Sequence, residues 1–287
     1  MRLYSAAMSL TPESRARGCL LGLAAGNALG LAAAGLERPD IPASPYGADV
    51  ALALIEAEEL LQPEFDLQRL AHRWVDWSRR DGRGMDDWTR IALDHVADFD
   101  GPPEAIAGPP GNGGIAPTIP VALATASQPD NLVNGSFHLG YLLHPDQRCG
   151  WSAVAVNAAI ACFLQGITDF IPEVIEVLKQ NSAPEELIAA VRRVPLEKRE
   201  ALPVTGPEAQ LAVSSVEIGL WFARHESRLE RGLTGLVNAG GDSDTNGAIA
   251  GALLGARDGE DAIPAEWIAR IPGTDRIREL ANRLVGM

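Results

Sequence analysis

A chain of 287 residues that is 46% hydrophobic and 5% aromatic can bury one large core or two smaller ones, and its wealth of Ala and Leu favours helices over strands. A formal net charge of -14 excludes a nucleic-acid backbone as the natural partner, because sequence-independent affinity for phosphates comes from Lys and Arg. Three cysteines, Cys19, Cys149 and Cys162, match no zinc spacing and read as buried free thiols of a reducing compartment.

Thr11-Pro12 opens the first predicted helix, with Thr11 as cap and Pro12 in the first helical position. Gly18, Gly22, Gly26 and Gly30 then recur every four residues and line one face. Each costs roughly 1 kcal/mol against Ala, which a helix sustains when another backbone must come close. The apolar run over residues 19–34 follows Arg15 and Arg17 and ends in three alanines, the outline of a signal peptide. The glycine period, Asn27 in its middle and its shortness for a membrane span make it a core helix. A cytoplasmic protein without a membrane partner is expected.

Asp49 opens a helix that continues through residues 56–61, and by itself reads as an ordinary acid in a first turn. Residues 67–78 have amphipathic spacing. Asp86-Asp87-Trp88-Thr89 looks like a displaced D-D-x-T and reads, by its position, as a cap for a helix over 90–96. Residues 101–114 form a Pro/Gly-rich loop ending in Gly111-Asn112-Gly113-Gly114, whose amides can approach a ribose or a phosphate. His144, before Pro145-Asp146, reads either as a pocket-lining group or as a surface or cap residue. The helix over 151–164 is apolar on nearly every face and therefore central. Helices follow over 170–179, 185–193, 209–224 and 228–237, with a polar crossing loop at 195–207 and one or two short helices in the tail.

Before the tail comes Gly240-Gly241-Asp242-Ser243-Asp244-Thr245-Asn246-Gly247, followed by a predicted helix over 248–257 with glycines again four apart, at 247, 251 and 255. The two smooth glycine faces are expected to pack together. Two carboxylates two positions apart, then a hydroxyl, are oxygen donors of the kind hard divalent cations take, brought together by flexible glycines. The competing reading is a helix N-cap. No linker, repeat or composition break divides the chain, so a single domain over 1–287 is expected.

These motifs resemble, in order, those of the ADP-ribosylglycohydrolase family (dinitrogenase-reductase-activating glycohydrolase-like). Gly18 to Gly30 is similar to its opening signature, with Asn27 where an Asp is usual. Gly47-Ala48-Asp49-Val50 stands at its T-D-D-T, Gly111 to Pro120 at its G-N-G segment, Leu142 to Cys149 at its L-T-H-x-D-P-R-C, and Gly241 to Thr245 at its G-D-T-D-T. The resemblance implies a compact orthogonal all-α bundle and Mg²⁺-assisted hydrolysis of an N- or O-glycosidic link to ADP-ribose. It implies Asp49, Asp242, Asp244 and Thr245 as metal ligands, Asp244 and Asp49 as catalytic groups, and Asn112, Gly113, Gly114 and His144 as substrate-binding. Its partners would be an ADP-ribose-type small molecule or an ADP-ribosylated protein. Gly47, Ala48 and Ala34 lack the oxygens that relatives place there. At most one Mg²⁺ is expected, with weak or altered hydrolysis, or a pseudoenzyme that binds an ADP-ribose-type ligand or a protein without turnover.

Overall fold

Thr11 caps the first helix, its Oγ1 accepting the Ser14 amide at 3.2 Å, and α1 spans Pro12–Ala32. The computed structural model describes residues 10–32, 46–99 and 109–287; Ala34 and positions 101–108 of the Pro/Gly-rich loop lie outside them. Then come α2 (Ala48–Leu60), α3 (Leu67–Arg80), α4 (Asp87–Phe99), α5 (Ile119–Thr125), α6 (Pro129–Leu143) and α7 (Gln147–Leu164). The second half adds α8 (Ile171–Gln180), α9 (Glu185–Arg193), α10 (Ala212–His225), α11 (Leu229–Val237), α12 (Ser243–Asp258), α13 (Ala265–Ile268) and α14 (Thr274–Val285). Among the described residues the β-type pairing is an isolated antiparallel bridge between Gly111 and Leu211. The all-α expectation is met. No described helix is long and apolar enough to cross a membrane.

The centre is a backbone-to-backbone contact. Every residue of α1 from Gly18 to Gly30 is buried, as is every residue of α12 from Thr245 to Ala256. A Cβ added to Gly18, Gly22 or Gly26 would overlap the carbonyl of Gly255, Gly251 or Gly247 respectively, and one on Gly30 would overlap that of Ser243. The pairing order runs in reverse, so α1 and α12 are antiparallel. α7, α10 and α11 pack on α12, and α14 packs on α1. A second core of Leu52, Leu70, Trp74, Leu93 and Leu139 joins α2, α3, α4 and α6. There Trp74 donates its indole N–H to the Leu52 carbonyl at 2.9 Å.

Two departures from the sequence reading have local causes. α5 and α6 form where no helix is expected, because Asn131, Asn134, Gly135 and Gly140 are poor helix formers; burial of Leu132, Leu139, Leu142 and Leu143 holds α6 in place. α12 begins at Ser243 rather than near 248, so Asp244 and Thr245 lie inside its first turn.

Glu56 of α2 is fully buried, and neither of its carboxylate oxygens has a hydrogen-bond partner. Its neighbour Glu59, equally buried, accepts from Arg69 Nε at 3.1 Å. Burial alone pushes the Glu56 carboxyl well above the usual range. The folded state thus holds this proton more tightly than the unfolded chain, and the stability it contributes is present at low pH and lost as pH rises. Glu56→Leu is expected to raise the melting temperature at pH 7–8, with the gain shrinking towards about pH 4.3. A gain independent of pH would contradict this. In the glycine interface, Gly251→Leu should cost stability on the scale of overpacking, about 1–3 kcal/mol, read as a lowered melting temperature despite better helix propensity.

Candidate active site

The chain enters α12 through Gly240 and Gly241, at φ 85 and 70 degrees, a left-handed turn that residues with a Cβ rarely adopt. Asp242 is positioned as the N-cap, yet its side chain makes no capping bond. Its Oδ2 instead accepts Asn112 Nδ2 at 2.5 Å. Asn112 is itself fixed: its backbone amide donates to Gln210 at 3.0 Å and its Nδ2 also reaches Ser215 Oγ at 2.9 Å. The cap explanation of Gly-Asp-Ser-Asp-Thr therefore fails for Asp242, and the Gly111–Gly114 loop is tied to the carboxylate cluster.

Asn27 of α1 does the same for Asp49. Its Oδ1 accepts the Gly47 amide at 2.6 Å, and its Nδ2 donates to Asp49 Oδ2 at 2.9 Å and, at 3.5 Å, to the Asp244 carbonyl. An ionised Asp at position 27 has no donor for Asp49. Thr245 also hydrogen-bonds Asp49. Three segments far apart in the chain thus converge at the N-terminus of α12.

A fourth carboxylate joins them that the sequence reading treats only as a cap. Asp86 does cap α4, its Oδ1 accepting the Thr89 amide at 2.9 Å and its Oδ2 the Thr89 hydroxyl at 2.5 Å. The same side chain lines the cleft beside Asp49, Asp242 and Asp244, and its charge acts on both Asp49 and Asp242. His144 stands behind it, with Nε2 3.0 Å from Thr89 Oγ1 and 3.6 Å from Asp86 Oδ1. Gly111 is required here, because an added Cβ would lie 2.7 Å from His144 Cε1. The D-D-x-T run of Asp86 to Thr89 is the sequence signal that points to this meeting of Asp86 with the cluster.

The result is a cleft of about 610 Å³, within the range of small-molecule sites. Its lining includes the oxygen donors Asp49, Asp86, Asp242, Asp244 and Thr245 with Asn112 and Gly113, and the apolar side chains of Leu52, Met85, Trp88 and Leu211. His144 is buried and borders a small side hollow with Trp88, Pro109 and Cys149. Gly114 faces α6, where an added Cβ would lie 2.7 Å from the Gly140 carbonyl, and is not part of the cleft wall.

None of the described lining residues is Lys or Arg. Burial, then the charges of Asp244, Asp242 and Asp86, push the Asp49 carboxyl well up, and the Thr245 bond offsets only part of this. Burial also raises Asp242; its Asn112 bond opposes the rise, and Asp244 adds to it through both charge and a shared hydrogen bond. Asp86 goes the other way, to about 2: burial pushes it up, but the hydrogen bond and charge of His144 and the bonds from Thr89 outweigh that. The donor set is all oxygen, acidic and short of positive charge, which suits a hard divalent ion. Among the described residues no three His, Cys, Asp or Glu side chains form a ready-made cage, so the fit is one of donor type and charge, and binding would draw the side chains together.

An all-helical protein with a carboxylate cleft at a glycine-packed helix end defines a known class. A solved chain titled "ADP-ribosylglycohydrolase-related protein complex" superposes with a TM-score of 0.80 and 27% identity, over 96% of this chain and 98% of that one. The profile of the ADP-ribosylglycohydrolase family matches residues 8–287, and the chain belongs to that family. Relatives include ADP-ribosylhydrolase ARH3 of Danio rerio, 27% identical over 83% of this chain and 76% of the relative. ADP-ribosylarginine hydrolase Tri1 of Pseudomonas putida is 24% identical over 98% and 81%.

A carboxyl-carbon NMR titration in chelator tests the electrostatics. Asp49 should titrate above the usual aspartate value of about 3.9 and Asp86 near about 2. Asp244→Asn removes a like charge and should lower the Asp49 midpoint. An Asp49 midpoint indifferent to that substitution would contradict the geometry.

Proposed function

We propose that the cleft hydrolyses an N- or O-glycosidic link to ADP-ribose or a related nucleoside-like group, carried by a small molecule or by a modified protein. The observation that carries this reading is the convergence of Asp49, Asp242, Asp244 and Thr245 on one cleft, with Asp242 withdrawn from its capping role to do so. Family membership supports the ADP-ribose linkage.

A single Mg²⁺ would be held by Asp49, Asp242, Asp244 and Thr245, with waters completing its shell. When bound, it would orient and polarise the ribose hydroxyls next to the scissile bond. The remaining work belongs to the side chains. Asp244, with Asp49 beside it, accepts one proton of the attacking water at a carboxylate oxygen; the water oxygen bonds to the anomeric carbon as the glycosidic bond breaks, and that proton passes from the carboxyl to the leaving group. Asn112 holds Asp242 in position, and the amide of Gly113 borders the substrate. Gly114 and His144 act from behind the wall, Gly114 by seating the loop on α6 and His144 by bracing Thr89 and Asp86.

A second reading, a binder without turnover, is favoured by one feature. Positions 47 and 48 offer no side-chain oxygen, and Asn27 occupies one oxygen of Asp49. Space for a repair exists: a Cβ on Gly47 would meet the Arg83 carbonyl at 3.3 Å and Leu31 at 3.4 Å, close but short of overlap.

Calorimetry with ADP-ribose, with and without Mg²⁺, and turnover of ADP-ribosylated substrates separate the two readings. For an enzyme, Asp244→Ala should lower kcat/KM about a hundredfold or more, and Gly47→Thr with Ala48→Asp should raise turnover and metal affinity. Binding without turnover would establish the binder. Metal-independent hydrolysis that survives Asp244→Ala would overturn the assignment of the site.

A further inference from the structure

Trp88 stands in the cleft wall and, among the described residues, takes part in neither hydrophobic core. The other tryptophans are engaged: Trp74 and Trp221 donate their indole N–H groups to the carbonyls of Leu52 and Glu197, and Trp77, Trp151 and Trp267 pack into or against the hydrophobic cores. Trp88 belongs to neither core. Among the described residues it stacks on no ring and its indole N–H has no hydrogen-bond partner. Half-buried, it lines both the main cleft and the side hollow next to Pro109. Its backbone is nonetheless anchored, because its neighbour Thr89 is tied to Asp86 and His144. A large rigid ring on an anchored backbone, packed in neither described core, offers a flat contact surface to the cleft.

We propose that Trp88 is the stacking platform for the planar base of a nucleoside-type ligand, and that it separates base-bearing ligands from bare sugar phosphates. This rests on the reading of the cleft as a site for ADP-ribose or a related nucleoside group. The carboxylates of the cleft suit the sugar, and its apolar lining residues, Leu52, Met85 and Leu211 with Trp88, suit a base. With no Lys or Arg among the described lining residues, phosphate contacts draw on glycine amides or a bound ion, which leaves stacking a larger share of the affinity. The unpaired indole N–H adds a donor at the edge of the platform.

The test compares wild type, Trp88→Leu and Trp88→Phe by calorimetry with ADP-ribose, adenosine and ribose 5-phosphate, all with Mg²⁺ present. Trp88→Leu should weaken ADP-ribose and adenosine about tenfold or more and leave ribose 5-phosphate unchanged, with Trp88→Phe retaining most of the affinity. Melting temperatures should stay near wild type, since Trp88 lies outside both cores. Unchanged binding of ADP-ribose and adenosine in Trp88→Leu, or equal weakening of all three ligands, overturns the platform. If ADP-ribose binds irrespective of Trp88, the functional reading stands and the platform falls. If adenosine binds through Trp88 but ADP-ribose does not bind, the platform stands and the ADP-ribose reading falls. Binding of none of the three removes both.

Discussion

The contact of α1 with α12, glycine against glycine, is the constraint on which the remainder depends. At Gly18, Gly22, Gly26 and Gly30 the opposing carbonyls occupy the space a Cβ would need. Register is fixed by the same fact, because a slip would bring side chains such as Leu21 or Leu253 into a gap that admits none. At its far end the contact seats Gly30 on Ser243, whose Oγ donates to the Gly30 carbonyl at 3.1 Å. One turn earlier, Asn27 is thereby carried to the Asp244 carbonyl and to Asp49. The positions of the carboxylates are a consequence of how closely two backbones approach.

The cleft is held together by neutral donors. Asn27 binds Asp49 and Asn112 binds Asp242, and an amide can orient a carboxylate without cancelling its charge. At the inner carboxyls burial and mutual repulsion outweigh the opposing hydrogen bonds, which favours a proton or a cation there. Asp86 sits at the outer wall, 43% exposed, and His144 and Thr89 keep it ionised. Neighbouring carboxyl groups pushed in opposite directions are the arrangement from which acid and base roles are divided in a single site. Departures from the family pattern acquire a physical meaning in this setting. With Asn at 27, the amide supplies the hydrogen bond to Asp49 that an Asp there has no proton to give once ionised.

Local signals carried part of this into the sequence. The four-residue glycine period, the Thr11-Pro12 start and the double glycine before Asp242 each act within a turn or two of chain, and each produces the local structure its chemistry demands. α6 was illegible for the same reason in reverse: its asparagines and glycines disfavour a helix locally, and only the core against which Leu139 and Leu142 pack makes it one.

The sequence by itself determined an all-helical chain, two complementary glycine faces and a family resemblance strong enough to place Asp49, Asp242, Asp244 and Thr245 in one site. Tertiary structure decided what those groups do. Asp242 is positioned as a cap, but its carboxylate accepts the Asn112 side-chain amide instead of a helix amide. Asp86 is a cap by sequence and becomes the fourth carboxylate because the start of α4 lines the same cleft as the start of α12. Gly114 belongs to a loop motif but faces α6, and His144 acts on the cleft through Thr89 and Asp86. Helix formation and turns depend on neighbours along the chain, which a sequence displays. The sharing of a cleft depends on distances between segments remote in sequence, and those are set only when the helices pack.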